Sequence, residues 1–274
     1  MTPENQGWRP EIATELRQLC QSQGIMQATH TVLEQSNITV VPEGPLKAIV
    51  DHTDGLLFAG NHSMIFEFAI LTDMLSQLGK TSIKHVAKFY AEEQTVWLLG
   101  EQAREMTLPV YPRALASDRK NKINAELPLR LVFHRHLKSL EESKKLTDNS
   151  LQAAADELAL GGIVNIYPRG SVRNDVRRTW RAGIGRIIQK LPEDAQEKTM
   201  YVPYHVDGLN PVKIVAAVAS RGKGILGRPQ RIGISVGEPR PIDDMVKILP
   251  PDARHDPLAV AEVLRRHYVS TLLP

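Results

Sequence analysis

Apolar residues recur at roughly helical spacing through residues 10–36, at Ile12, Leu16, Leu19, Ile25, Val32 and Leu33, with Gly24 as a break. A short strand over 37–41 and a turn at Pro42-Glu43-Gly44 follow. Residues 56–59 form a continuous apolar run, the mark of a buried strand. The pattern then predicts a helix over 66–78 ended by Gly79, a strand over 83–87, a helix over 92–99 stopped by Gly100 and a strand over 108–111. Further on it predicts a helix over 151–158 stopped by Gly161-Gly162, a strand over 163–167, strands over 199–206, 212–219 and 231–236, and a terminal helix over 259–273. Strands alternating with helices predict an α/β fold: a mixed, largely parallel sheet flanked by helices, with an N-terminal helical segment. The segment is placed at 1–38 and the α/β domain at 39–274.

Residues 114–146 depart from this alternation. Eight basic residues (Arg119, Lys120, Lys122, Arg130, Arg135, Lys138, Lys144, Lys145) face four acidic ones (Asp118, Glu126, Glu141, Glu142). The stretch LRLVFHRHL mixes apolar with basic side chains. Such a segment is either a solvated helix pair or a basic amphipathic arm resting on an anionic membrane surface.

Composition narrows the class. The chain has 274 residues, 42% of them hydrophobic, enough for one large domain. A net charge of +3 is too small to argue nucleic acid as a partner, but it suits anionic lipid or phosphate-bearing substrates. One cysteine, Cys20, excludes an internal disulfide and points to a reducing, cytoplasmic setting, with the thiol as a small buried apolar group. The polar, acidic start has no signal-peptide pattern, and no apolar run approaches the ~18 residues of a membrane span. A cytoplasmic protein, in peripheral contact with membrane at most, is the expectation.

Two tempting motifs fail. Gly222-Lys-Gly224-Ile-Leu-Gly227 has GxGxxG spacing, but Pro229 and a strand follow where a dinucleotide site needs a helix; a loop joining two strands is expected. The nine histidines show no metal-ligand spacing, and no GxSxG elbow marks an α/β hydrolase. Neither metal nor cofactor is expected.

The most telling stretch is GLLFAGNHSMIFE, residues 55–67. A buried strand delivers Gly60-Asn61-His62 at its end, and Glu67 follows five residues after the histidine. Ends of strands in α/β sheets are where functional groups gather, and an imidazole with a carboxylate within reach makes a general base. A second His-x4-Glu, His136 to Glu141, falls in the charged insertion and lacks this context.

Further blocks appear in order: KFYAEEQTVWLLG leading to LPVYPR with Arg113, YPRGS at 167–171, WRAG at 180–183, YVPYHV around Pro203, and RIGISVGEPRPI. Taken together they resemble the glycerolipid acyltransferase superfamily, the lysophosphatidate and glycerol-3-phosphate acyltransferases, over residues ~39–245. That family carries Asn-His-x4-Asp, a strand ending in arginine, and Phe-Pro-Glu-Gly-Thr followed by aromatic-Lys-x-Gly. Here Glu67 replaces the aspartate, Arg169 replaces the glutamate, and Val172 stands for an arginine with Arg173 beside it. Asp118-Arg119 is an alternative register for the second block, but an apolar strand precedes Arg113.

The resemblance implies an acyltransferase that moves a fatty acyl group from acyl-CoA or acyl carrier protein, as co-substrate, to a hydroxyl of a lysophospholipid or glycerol phosphate. It implies His62 as general base and Glu67 as its orienting carboxylate. Arg113, Arg169, Arg173 and Arg181 become candidates for binding the acceptor's phosphate, and backbone amides around Gly170 and Ser171 for the oxyanion. The reversed charge at Arg169 leaves an alternative: a catalytically inactive lipid-binding relative.

Overall fold

The computed structural model describes residues 10–61, 67–89, 92, 96, 99–111, 138–168, 179–208, 210–220 and 229–273. Eight strands form one sheet: β1 (Ile38–Glu43), β2 (Leu56–Gly60), β3 (Lys84–Lys88), β4 (Thr107–Val110), β5 (Ile163–Ile166), β6 (Met200–Asp207), β7 (Gln230–Val236) and β8 (Arg240–Pro241). The order is β1-β7-β6-β2-β5-β3-β4, with β8 paired to the start of β6. The five strands from β6 to β4 are mutually parallel. β7 runs antiparallel to β6, and β1 runs parallel to β7. The fold is therefore the expected α/β type with a mixed, mostly parallel sheet.

Helices cover both faces, which is why β2 and β5 are buried at every position. Leu57 and Ala59 point to a core closed by α6 (Leu140–Ala159), α7 (Gly183–Lys190), α8 (Glu193–Lys198), α10 (Ile242–Lys247) and α11 (Pro257–Leu272). Leu56 and Phe58 point to the opposite core, closed by α2 (Ile25–Gln35), α4 (Glu67–Gln77) and α9 (Pro211–Ser220). The N-terminal segment is α1 (Pro10–Gln23), a break at Gly24 and α2, which packs on α4 and supplies Met26 and Leu33 to the second core. Two short helices, α3 (Leu46–Asp51) and α5 (Gln102–Glu105), are too brief for a periodic signal to reveal.

Glycine stops work as expected. Gly79 and Gly161 take positive φ angles of 76° and 83°. In each case the next amide reaches back to close the helix, Lys80 N–H to the Leu75 carbonyl and Gly162 N–H to the Glu157 carbonyl.

Two expectations are corrected. The helix before Gly161 begins at Leu140, not near 151, so residues 140–146 of the charged stretch are its first turns, capped by the Ser139 hydroxyl. Residues 212–219 are helix α9, not a strand. Its β-branched residues read as strand, but Asn210 accepts a hydrogen bond from the Lys213 amide and Pro211 sits at the first helical position. Buried Ile214, Ala217 and Val218 then recur at helical spacing. The GxGxxG segment itself lies outside the described residues; the described elements on either side of it are a helix, α9, and a strand, β7, rather than the two strands expected.

The topology marks one place on the sheet. β2 leads to β3 through α4 on one face, whereas β5 leads to β6 through α7 and α8 on the other. β2 and β5 are neighbours whose connections leave in opposite directions. A crevice opens beyond the carboxyl ends of such strands. Among the described residues no helix is long and apolar enough to cross a membrane.

Candidate functional site

The exit of β2 is built residue by residue. Gly60 lies against the ring of Tyr204: a Cβ there would stand 2.3 Å from the ring carbon Cζ. Because Gly60 has no side chain, the Tyr204 ring crosses β2 and its hydroxyl donates to Asn165 Oδ1 on β5 at 3.0 Å. Asn61 is next. Its Nδ2 donates to the Val206 carbonyl (3.0 Å), and its Oδ1 accepts from the Val206 amide (2.9 Å). The buried amide thus pairs with β6 as a backbone unit would, at the point where the chain leaves the sheet. His62 is the following residue and lies outside the described residues.

Glu67 is the first residue of α4 and is fully buried. A carboxylate in such a place is costly unless polar groups and a helix N-terminus face it. Its charge bears on two phenols, Tyr167 at the end of β5 and Tyr204 on β6. Burial first, and the Glu67 carboxylate among further causes, hold both hydroxyls well above the usual tyrosine range and so protonated.

From Asn165 the polar chain continues inward. Its Nδ2 meets His85 Nδ1 at 3.1 Å, and His85 Nε2 meets Thr72 Oγ1 at 3.2 Å. With the amide donating, Nδ1 accepts and Nε2–H donates to the threonine, which requires a neutral ring. Burial pushes the His85 pKa down to about 3, in keeping with that. Phe68 packs edge-on against the imidazole, its centroid 5.9 Å away.

Of the residues expected at the site, Glu67 is placed at the β2–β5 crevice. Arg181 is exposed, its amide bonded to the Pro168 carbonyl at 3.0 Å beyond the end of β5. Trp180 beside it is buried, packed edge-on against Tyr268 on α11 at 5.6 Å. The aromatic of WRAG is therefore a core anchor that holds Arg181 at the surface. His62, Arg113, Arg169, Gly170, Ser171 and Arg173 lie outside the described residues. The strands that precede them, β2, β4 and β5, are parallel members of the sheet and end on one edge.

The polar chain beneath Glu67 was missed in the sequence, although it left a trace: Asn165 interrupts the apolar run IVNIY. A second imidazole at the same edge, His205, has both nitrogens engaged, Nδ1 with the Tyr268 hydroxyl at 2.6 Å and Nε2 with Asp207 at 3.1 Å. It ties β6 to α11 and offers no lone pair to a substrate. Cys20 is buried, and burial pushes its thiol up to about 11, so it is no nucleophile.

No protein-family model matches the chain, and no curated protein sequence matches it.

Proposed function

We propose that the protein is an acyltransferase that moves a fatty acyl group from an acyl thioester, on CoA or acyl carrier protein, to a hydroxyl of a lysophospholipid or glycerol phosphate. One observation carries the reading: Glu67 is fully buried in the first turn of α4, beyond the switch point between β2 and β5. The switch point pairs the strand that precedes Asn61-His62 in the sequence with the strand that precedes YPRGS.

In this reaction the acceptor hydroxyl attacks the thioester carbonyl while His62 takes its proton, an assistance worth roughly 10²–10⁴-fold. The carbon–oxygen bond forms, the tetrahedral adduct collapses, the carbon–sulfur bond breaks, and the imidazolium returns its proton to the departing thiolate. Glu67 orients the ring and stabilises its charged form. Backbone amides at Gly170 and Ser171 receive the oxyanion, and Arg113, Arg169, Arg173 and Arg181 offer guanidinium groups to the acceptor's phosphate. The basic stretch before α6 brings the protein to an anionic membrane where such acceptors reside.

The test is transfer by purified protein from acyl-CoA and acyl carrier protein to a panel of lysolipids and glycerol phosphate. Product with the wild type and none with His62→Ala is the expected result. Full activity in His62→Ala would reject that residue as the base. Binding of lipid without product from any donor would select the inactive lipid-binding reading.

A further inference from the structure

We propose that His30 is a positioning residue for the site. Through Asp73 it braces α4, the helix that opens with Glu67, so the N-terminal helical segment belongs to the catalytic architecture. The catalytic meaning rests on the acyl-transfer reading; the contact itself does not.

Asp73 is the anomaly that points to this. Its neighbours on α4, Ile70, Leu71, Met74 and Leu75, are apolar and fully buried. Asp73 is only 2% exposed, and an apolar side chain would serve packing there as well or better. Both its oxygens are engaged instead. His30 Nδ1 on α2 stands 2.7 Å from Oδ1, and Gln77 Nε2, one turn further along α4, donates to Oδ2 at 2.7 Å. A carboxylate only accepts, so His30 Nδ1–H donates whether the ring is neutral or charged. Met26 and Leu33, a turn before and after His30, are buried in the core that α4 shares, which places the imidazole on the face that α2 turns to α4.

A second contact holds another side of the same helix. Thr72, one residue earlier, meets His85 Nε2 on β3 at 3.2 Å. Successive helical side chains point about 100° apart, so α4 is gripped toward the sheet by one imidazole and toward the N-terminal segment by the other. Apolar packing has no direction and lets a short helix slide or roll, whereas hydrogen bonds fix direction. Glu67 lies six residues before Asp73, about 9 Å along the axis, so a roll of α4 re-aims its carboxylate. His85 is buried, but the His30 side chain is 36% exposed, so the outer contact can be removed without opening the core.

Two measurements test this. The first is a double-mutant cycle in urea unfolding with His30→Ala, Asp73→Ala and the pair. His30→Ala is expected to lower the midpoint in the wild-type background and to change it little in the Asp73→Ala background. Additive shifts would overturn the proposal, and this readout needs no activity. The second is kinetic, run well below the unfolding midpoint of every variant. His30→Ala is expected to lower kcat roughly tenfold, as for a displaced catalytic group, with KM for donor and acceptor little changed. His30→Asn, which carries an amide donor in the place of Nδ1, is expected to recover most of kcat. Wild-type kcat in folded His30→Ala, or a loss that His30→Asn does not recover, would overturn the positioning role. Absence of transfer by the wild type would reject the acyl-transfer reading instead, while the unfolding cycle still decides whether His30 braces α4.

Discussion

Asn61 grips Val206 by both its amide and its carbonyl, at 2.9 and 3.0 Å, so β2 stays fastened to β6 one residue beyond its last ladder pair. This sets where the chain departs from the sheet before position 62. A histidine on a frayed strand end would wander; one that follows a two-bond clamp starts from a fixed point.

Replacing Asn61 with alanine leaves the Val206 amide and carbonyl without these partners in a buried setting. The expected loss is about 2–4 kcal/mol, from two stranded backbone groups. Asn61→Asp keeps an acceptor for the amide but turns an oxygen toward the carbonyl, so it restores only part of the loss. Urea unfolding of both variants checks the order wild type, aspartate, alanine.

Gly60→Ala drives a methyl group into the Tyr204 ring. Overpacking of this kind costs about 1–3 kcal/mol, and here it also pushes the hydroxyl away from Asn165. The melting temperature is expected to fall. In a Tyr204→Leu background, where the ring is gone, the same substitution is expected to do much less. Equal losses in the two backgrounds would refute the contact as the cause.

His85 makes stability depend on pH. Its folded pKa of about 3 lies below the ordinary value of 6.5, so between these limits the unfolded chain binds a proton that the folded chain refuses. The contribution is complete above about pH 6.5 and is lost as pH falls toward 3, at up to about 1.4 kcal/mol per pH unit. Urea midpoints at pH 7 and pH 4.5 are expected to differ more in the wild type than in His85→Gln. An identical difference would show that other groups govern the acid side.

The basic stretch proposed to meet membranes predicts salt-sensitive binding. Flotation with anionic liposomes is expected at low salt and to weaken at high salt, as charges separated by more than a Debye length are screened. Neutral phosphatidylcholine vesicles are expected to float little protein. Flotation that ignores both salt and lipid charge would remove the electrostatic role.

Local chemistry explains which features could be read directly. Gly79 and Gly161 announced helix ends because a positive φ is cheap only for glycine. The run before Gly60 announced a strand with both faces covered. Glu67 could be named as a candidate because it follows His62 by five residues just after that apolar run. Where local signals competed, reading failed. The valines and isoleucine of 212–218 spoke for a strand, yet the Asn210-Pro211 start and the core against α2 made them helix α9. The early turns of α6, rich in charge, hid a helix whose buried side carries only Ser143 and Ser150 before Leu151.

By itself the amino-acid order determined most of the alternation of strands and helices, and a histidine and a carboxylate five positions apart, because these depend on neighbours close along the chain. Only the tertiary structure decided that Tyr204 crosses a side-chain-free Gly60 to reach Asn165, and that His85 and Thr72 complete the chain beneath Glu67. Those partners come from four separate elements, and no pattern along the chain encodes a contact made across three strands of a folded sheet.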